Sequence, residues 1–325
     1  MPQIVWKQAV ATLLLGFTLA ACGSGDNPAP PPLPPQPTGT GVPPEERVFR
    51  FDQTLTVAGL ARTYTVTLPP TYYDTTTKVP LIIAMHGGGG SAAQFESTSL
   101  LTPKADAARF AVVYPNGTAG LLGIRTWNGG GCCGHAVANN IDDVDFIRHV
   151  ITHVTTDFRI DPARVYATGH SNGGIMAYRL ACELSDRIAA IAPNAAAMMV
   201  PSCAPGRAVP VLHLHSRLDT QVPITGGFGT GPAGVPFPTL ASAMDQWVSI
   251  NGCATVPTVQ VTAGQLTRTT WEPCRAGTVV DLYVTEDGGH SWPGGLPGSS
   301  VGDPSSTAID ANDLLLAFFL RHTLP

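Results

Sequence analysis

The sequence GHSNG at residues 169–173 has the most definite chemical signature in the chain. Residues 163–168 favour a short buried strand before it, and residues 174–181 favour a helix after it. A strand-to-helix turn of this kind exposes a serine hydroxyl on a strained backbone, beside the free N–H groups of a helix N-terminus. We therefore predict that Ser171 is a nucleophile; the alternative is a glycine-rich turn with an incidental serine.

A serine hydroxyl needs a general base, and the base needs an acid that orients it. The strand predicted at 209–215 leads into Asp219, and the strand predicted at 278–284 leads into a glycine-flanked loop that contains His290. Both residues thus follow the carboxyl ends of strands, where an open α/β sheet collects its functional groups. We predict that Asp219 orients His290 as the base. A turn or cap role for Asp219 and a surface position for His290 are the alternatives.

Other histidines fit this role less well. His213 and His215 precede the acid and alternate along a strand, which favours packing. His149 and His153 are four residues apart on a predicted helix, a spacing that can hold a metal ion. They lack acidic or cysteine ligands in a known metal pattern, so a solvated helix face is the better interpretation. We predict no metal ion and no cofactor.

The apolar strand predicted at 79–85 ends in HGGGGS at residues 86–91. After such a strand this pattern supplies a backbone N–H, here that of Gly88, and the residue after the nucleophile, Asn172, supplies a second. Each donor stabilises a tetrahedral oxyanion by roughly 3–4 kcal/mol. A phosphate cradle is the alternative, but no Lys-Ser or Lys-Thr follows the glycines. We predict an oxyanion hole formed by Gly88 and Asn172.

Residues 1–21 resemble an export signal, with one cation at Lys7 and a short apolar core. They lead into the sequence LAAC, which is similar to a bacterial lipoprotein signal and predicts a lipid anchor on Cys22; ordinary secretory cleavage is the alternative. Residues 22–46 are rich in proline and predict an extended linker. Both interpretations place the protein outside the cytoplasm, with membrane attachment only through the lipid.

The composition of the chain sets limits on its partners. Hydrophobic residues make up 44% of the sequence and charged residues 13%, with a net charge of −5. This balance argues against nucleic acid as a partner. Residues 47–325 are long enough for one α/β domain with a substantial core.

Six cysteines remain when Cys22 is set aside, an even number typical of disulfides outside the cytoplasm. Two pairs each close a loop of about twenty residues, worth roughly 3 kcal/mol; the predicted pairs are Cys182–Cys203 and Cys253–Cys274. For the adjacent Cys132 and Cys133, a vicinal disulfide and free thiols stay open as alternatives.

Apolar periodicity predicts strands that alternate with helices, the pattern of a mostly parallel sheet covered on both faces. The predicted strands lie near 62–68, 79–85, 111–114, 163–168, 188–193, 209–215 and 278–284. The predicted helices lie near 92–109, 141–157, 173–184, 240–250 and 310–322.

Residues 48–322 resemble the esterases of the polyhydroxybutyrate depolymerase family, which also includes feruloyl and acetylxylan esterases and is similar to carbohydrate esterase family 1. The resemblance implies the α/β-hydrolase fold and hydrolysis of carboxylic esters through an acyl-enzyme. It maps the catalytic serine, aspartate and histidine of the family onto Ser171, Asp219 and His290. It rests on HGGGGS at 86–91, WN at 127–128, CCG at 132–134, GHSNGG at 169–174, HSRLD at 215–219 and GGHSWPG at 289–295.

Such catalytic parts serve several ester classes, because acyl-transfer machinery does not encode the substrate pocket. Oligomers of the polyhydroxyalkanoate type or related polyesters are the first choice, and feruloyl or acetylxylan esters of plant polysaccharide are the alternative. A catalytically silent binding protein of the same fold is the non-enzyme alternative. Trp127 and Trp292 are predicted substrate contacts, with core packing as the alternative for both.

Overall fold

The computed structural model describes residues 47–298 and 302–325. The predicted signal segment 1–21 and linker 22–46, with the predicted anchor Cys22, lie outside the described residues. The helices are α1 (Ala92–Ser99), α2 (Leu101–Ala107), α3 (Gly134–Ala138), α4 (Asp143–Asp157), α5 (Asn172–Glu183), α6 (Leu240–Asn251) and α7 (Ala311–Phe319).

The strands include one for every strand expected from the sequence. They are β1 (Arg50–Val57), β2 (Leu60–Thr67), β3 (Val79–Met85), β4 (Ala111–Pro115), β5 (Thr118–Ala119), β6 (Arg125–Thr126), β7 (Ile160–His170), β8 (Ala190–Asn194), β9 (Val211–Ser216), β10 (Gly227–Phe228), β11 (Pro236–Phe237), β12 (Thr258–Thr262), β13 (Leu266–Trp271) and β14 (Val280–Thr285).

Ten strands form one sheet in the order β1-β2-β4-β3-β7-β8-β9-β14-β13-β12. The central strands from β4 to β14 all run parallel. Two antiparallel strands extend the sheet at each edge. The carboxyl ends of β3, β7, β9 and β14 therefore meet at the same edge, and these four ends precede the oxyanion segment, the serine, the acid and the histidine.

Helices cover both faces of the sheet. Along the fully buried β3, Leu81 and Ile83 pack in a cluster that includes residues of α4, α5 and α6. The alternating residues Ile82 and Ala84 pack on the opposite face, in a cluster that includes residues of α1, α2 and α7. The continuous apolar sequence of β3 follows from this, because a central parallel strand is buried on both sides. The predicted α/β-hydrolase fold is confirmed.

The structure differs from the sequence prediction in three ways. Helix α3 and the short strands β5, β6, β10 and β11 were not predicted. Strands β1, β12 and β13 were not predicted, because they carry polar residues and few of their side chains are buried. The helix predicted at 92–109 is two helices, since Leu100 adopts a left-handed conformation with φ 55° and ends the first of them.

The start of α4 ties the sheet to its helical layer. Asp142 caps the helix by accepting a hydrogen bond from the N–H of Asp145 at 2.9 Å. Asp143 is instead buried and pairs with Arg62 of β2 at 2.6 Å, while its other oxygen accepts the N–H of Asn128 at 2.7 Å. Burial raises the pKa of Asp143, and the pairing with Arg62 opposes that rise.

Three disulfides join Cys182 to Cys203, Cys253 to Cys274, and Cys132 to Cys133, so the two predicted long-range pairs are present and the adjacent cysteines are bonded. Disulfides form and persist in oxidising environments. They indicate an extracytoplasmic protein. Within residues 47–298 and 302–325, no helix is both long and apolar enough to cross a membrane.

Substitution Arg62→Met should lower the free energy of unfolding by about 3–5 kcal/mol, because it leaves the buried Asp143 carboxylate without its partner. Urea denaturation followed by circular dichroism measures this loss. The matched control is Lys104→Met, which removes an exposed pair with Asp313 and should leave the midpoint almost unchanged. Equal shifts for the two variants would show that the buried pair has no special role.

Candidate active site

Ser171 lies at the sharp turn between β7 and α5, with φ 56° and ψ −122°. A non-glycine residue in such a conformation costs on the order of 1–3 kcal/mol, so its surroundings must enforce it. Gly169 and Gly173 permit the turn: a Cβ on Gly169 would lie 2.5 Å from the carbonyl carbon of Gly173, and a Cβ on Gly173 would collide with the carbonyl oxygen of Met85. The turn therefore depends on three backbones in contact, those of β3, β7 and α5.

Asp219 and His290 meet at the carboxyl ends of β9 and β14. The Nδ1 atom of His290 lies 2.8 Å from Oδ2 of Asp219, and both side chains are almost fully buried. The Oδ1 atom of Asp219 accepts the N–H groups of Gln221 at 2.9 Å and Val222 at 2.8 Å. Because Oδ2 of ionised Asp219 is an acceptor, Nδ1 of His290 carries the proton and Nε2 is left to act as a base.

Burial by itself would raise the pKa of Asp219. Hydrogen bonds from His215 and His290 outweigh burial and hold the pKa of Asp219 below its ordinary value. The carboxylate is therefore ionised at neutral pH, as the orienting acid must be.

His290 lies beside the nucleophile turn. Its ring centroid is 4.6 Å from that of His170, the residue before Ser171, and its backbone N–H donates to Asp303 at 2.6 Å. Among the described residues, the Ser171 hydroxyl has no hydrogen-bond partner, and its side chain is partly exposed. Hydrogen bonds between catalytic groups are often long before substrate binds. The structure thus brings the predicted acid and base together and places them next to the predicted nucleophile.

His170 is held in place by Asn194, with Nδ1 of His170 2.8 Å from Oδ1 of Asn194. Burial, and then the neighbouring His290, lower the pKa of His170 to about 3. His170 therefore packs against His290 as a neutral ring. No group of residues suited to a metal ion occurs among the described residues.

The glycine-rich segment after β3 lies against the turn. A Cβ on Gly88 would be 3.7 Å from Cβ of Asn172, so the predicted oxyanion donors are neighbours. Neither backbone N–H donates to another described residue. His86 shapes this segment: its Nδ1 lies 2.7 Å from the carbonyl oxygen of Gly87, and its Nε2 accepts the N–H of Gly117 at 3.0 Å. Burial lowers the pKa of His86 to about 4, so the ring is neutral.

Trp127 is not a substrate contact in this structure, because it has no exposed surface. Its indole N–H donates to the carbonyl oxygen of His86 at 2.9 Å. Its backbone pairs with the side chain of Asn172, with the N–H donating at 2.7 Å and the carbonyl accepting at 3.0 Å. Trp127 therefore joins the nucleophile turn to the oxyanion segment, and its predicted place at the cleft surface is corrected to the core.

Trp292 is likewise a core residue, with 3% of its surface exposed. Its indole N–H donates to Asn312 at 3.1 Å, and its ring packs edge-on against Phe95 at 5.2 Å. It anchors the loop that carries His290 to the helical layer of α1 and α7, and the prediction of substrate contact is corrected here too. The proximity of Trp292 to His290 in the sequence could not predict this burial, because the burial depends on packing against distant helices.

Residues 62–229 match the family model described as "Esterase PHB depolymerase". The chain is 32% identical over 318 residues to the protein named "Putative esterase NocK" of Nocardia uniformis subsp. tsuyamanensis, covering 90% of this chain and 91% of that protein. It is 35% identical over 219 residues to "Feruloyl esterase B" of Piromyces equi, covering 65% of this chain but only 39% of that protein. The chain thus spans about two fifths of the length of the Piromyces relative.

Among solved structures, the acetyl xylan esterase from Aspergillus awamori superposes with a TM-score of 0.55 at 15% identity, over 74% of this chain and 94% of that one. This likeness concerns the fold alone. The family match over more than half of the chain, joined by a relative similar along nearly its whole length, shows that the chain belongs to the esterase PHB depolymerase family and is a carboxylic ester hydrolase.

Proposed function

We propose that the protein hydrolyses esters through an acyl-enzyme formed on Ser171. The observation that carries this proposal is the 2.8 Å contact of His290 with the buried Asp219, beside a serine held at φ 56°. Ser171 attacks the ester carbonyl while Nε2 of His290 takes its proton. His290 then returns the proton to the departing alcohol, and a water molecule activated by the same ring releases the acid.

Charge develops at two places in this reaction, on the ring of His290 and on the carbonyl oxygen of the substrate, and protein groups stabilise both. Ionised Asp219 stabilises the imidazolium that forms when His290 accepts the proton. The N–H groups of Gly88 and Asn172 serve as donors to the carbonyl oxygen as it becomes an oxyanion, and Asn172 lies at the N-terminus of α5. Since these donors are fixed by the fold, they need no reorganisation during the reaction.

The substrate we propose is an apolar ester of the hydroxyalkanoate type. The hairpin β5–β6 supports this choice, because the turn between its two strands carries Leu121 and Leu122, which are 88% and 91% exposed. The hairpin adjoins the oxyanion segment, since the N–H of Gly89 donates to the carbonyl oxygen of Arg125 at 2.7 Å. Such exposed apolar side chains beside a site favour apolar ligands.

Feruloyl or acetylxylan esters are the second candidate. Sequence similarity favours them, because the relatives of this chain include proteins named feruloyl esterases. They also include the "Bifunctional acetylxylan esterase/xylanase XynS20E" of Neocallimastix patriciarum, 29% identical over 140 residues.

We further propose that Cys22 carries a lipid anchor and that residues 23–46 hold the catalytic domain away from the membrane.

The wild-type protein should react covalently with a fluorophosphonate probe, and Ser171→Ala should abolish the labelling. Hydrolysis of a soluble ester should fall by about a thousandfold or more in that variant, because the attacking hydroxyl is lost. The matched control is Ser97→Ala, which removes an exposed helical serine and should label like the wild type. An unlabelled wild type, or equal labelling of Ser171→Ala, would instead point to a binding protein of this fold.

On a panel of hydroxybutyrate oligomers, methyl ferulate and acetylated xylan, kcat/KM should be highest for the oligomers. Replacement of Leu122 by Ser should lower kcat/KM for the oligomers and spare a small acetyl ester; Val256→Ser, at a remote exposed valine, should change neither. A tenfold preference for methyl ferulate corresponds to about 1.4 kcal/mol of differential transition-state binding, and it would establish the second candidate instead.

The full-length protein should partition into the detergent phase, and Cys22→Ala should move it to the aqueous phase, because the acyl chains supply the membrane affinity. Hydrolysis of a soluble ester should be equal for the two proteins, since residue 22 precedes the catalytic domain. Identical partitioning of both proteins would establish plain secretion.

A further inference from the structure

A line of buried side chains leads away from Asp219 through a second histidine, His215. The Nε2 atom of His215 lies 3.3 Å from Oδ2 of Asp219 and 2.9 Å from the carbonyl oxygen of Val222. The Nδ1 atom of His215 is 3.0 Å from Nε2 of His213, and Nδ1 of His213 is 2.6 Å from the hydroxyl of Tyr178. His213, His215 and Tyr178 are all buried, at 0–2% exposure.

The protons along this line have one consistent arrangement. A carboxylate and a carbonyl oxygen can only accept, so Nε2 of His215 donates. Nδ1 of a neutral His215 then accepts from Nε2 of His213, and Nδ1 of a neutral His213 accepts from the Tyr178 hydroxyl. Every polar atom in the line is satisfied, and every donor points towards Asp219. Burial lowers the pKa of His213 well below its ordinary value and raises that of Tyr178 well above it, so both side chains stay neutral.

Resting on the function proposed above, we infer that Tyr178, His213 and His215 form a positioning chain for the catalytic acid. His215 reaches Asp219 by two routes. It approaches Oδ2, the oxygen that receives His290, and it binds the carbonyl oxygen of Val222, whose own N–H donates to Oδ1 of Asp219 at 2.8 Å. Both carboxylate oxygens are thereby fixed in direction, and so is the ring of His290.

A purely structural role explains this chain poorly. Replacing both partners of a buried hydrogen bond by apolar groups of the same shape can be nearly neutral or stabilising, so stability alone does not call for three linked polar rings here. The chain is also anchored at its far end: the Tyr178 ring stacks on His213 at 5.8 Å and on Trp247 at 6.2 Å. α5 carries both Tyr178 and the residues that follow Ser171. The acid and the nucleophile are therefore positioned from the same helix.

The test compares kcat and KM, on a soluble ester, of the wild type and three variants. His215→Leu should lower kcat by about 10- to 100-fold with KM changed less than twofold, as loss of orienting partners does elsewhere. His215→Gln should recover most of kcat, because its amide can donate in place of Nε2. Tyr178→Phe should lower kcat by a few-fold, since it removes only the first donor of the chain.

Tyr64→Phe is the matched control, because the Tyr64 hydroxyl also lies 2.6 Å from Nδ1 of a histidine, His153, but far along the chain from Asp219 and with no contact to it. It should leave kcat unchanged, and denaturation curves should show all four variants folded at the assay temperature. Fluorophosphonate labelling counts the active sites, so a partly unfolded sample is not mistaken for a slow enzyme.

The inference is overturned if folded His215→Leu or Tyr178→Phe keeps the wild-type kcat, or if Tyr64→Phe loses as much as Tyr178→Phe. It is also overturned if His215→Gln is no better than His215→Leu. An unlabelled wild type would reject the proposed function, and this inference with it; a labelled wild type with unaffected variants would reject this inference alone.

Discussion

The backbone of Ser171 is the constraint on which the rest of the site depends. At φ 56° and ψ −122° it turns the chain from β7 into α5 without an intervening loop. The turn is possible because Gly169 and Gly173 let the end of β7, the start of α5 and the end of β3 come into backbone contact. Burial of the sheet on both faces holds these three elements together and so offsets a local strain of about 1–3 kcal/mol. The proposed nucleophile, the proposed oxyanion segment and the N-terminus of α5 therefore meet through one close approach of three backbones.

The electrostatics of the site follow from which buried groups are charged. His86 and His170 are kept neutral by burial, with pKa values lowered to about 4 and about 3. Asp219 stays ionised because hydrogen bonds outweigh the cost of burying it. Its carboxylate lies 2.8 Å from Nδ1 of His290. In the proposed mechanism, this negative charge stabilises the imidazolium of His290 more than it would in water, because the buried site has a low dielectric constant.

Sequence patterns predicted the central strands, the contact of Asp219 with His290 beside the turn that carries Ser171, and the two long-range disulfides, because each depends on local spacing or on chain order. They failed where the decisive contact lies between distant segments. Trp127 is held in the core by hydrogen bonds to the side chain of Asn172, 45 residues away. The sequence favoured a packing role for His215, whereas in the structure the turn after β9 places Asp219 against its ring. The edge strands β1, β12 and β13 were missed because partial exposure removes the apolar pattern that marks a central strand.

The surface to which we assign substrate preference is a different part of the molecule from this buried site. A tenfold preference between two esters corresponds to about 1.4 kcal/mol, and about 55 Å² of apolar surface removed from water supplies that amount. This is less than the surface of one leucine side chain, and the hairpin beside the oxyanion segment presents Leu121 and Leu122 almost fully exposed. Under the proposed function, one or two exposed residues such as these are enough to change which ester is preferred. The strained serine, its acid and its base need not change, because their geometry is set by the core and not by the rim.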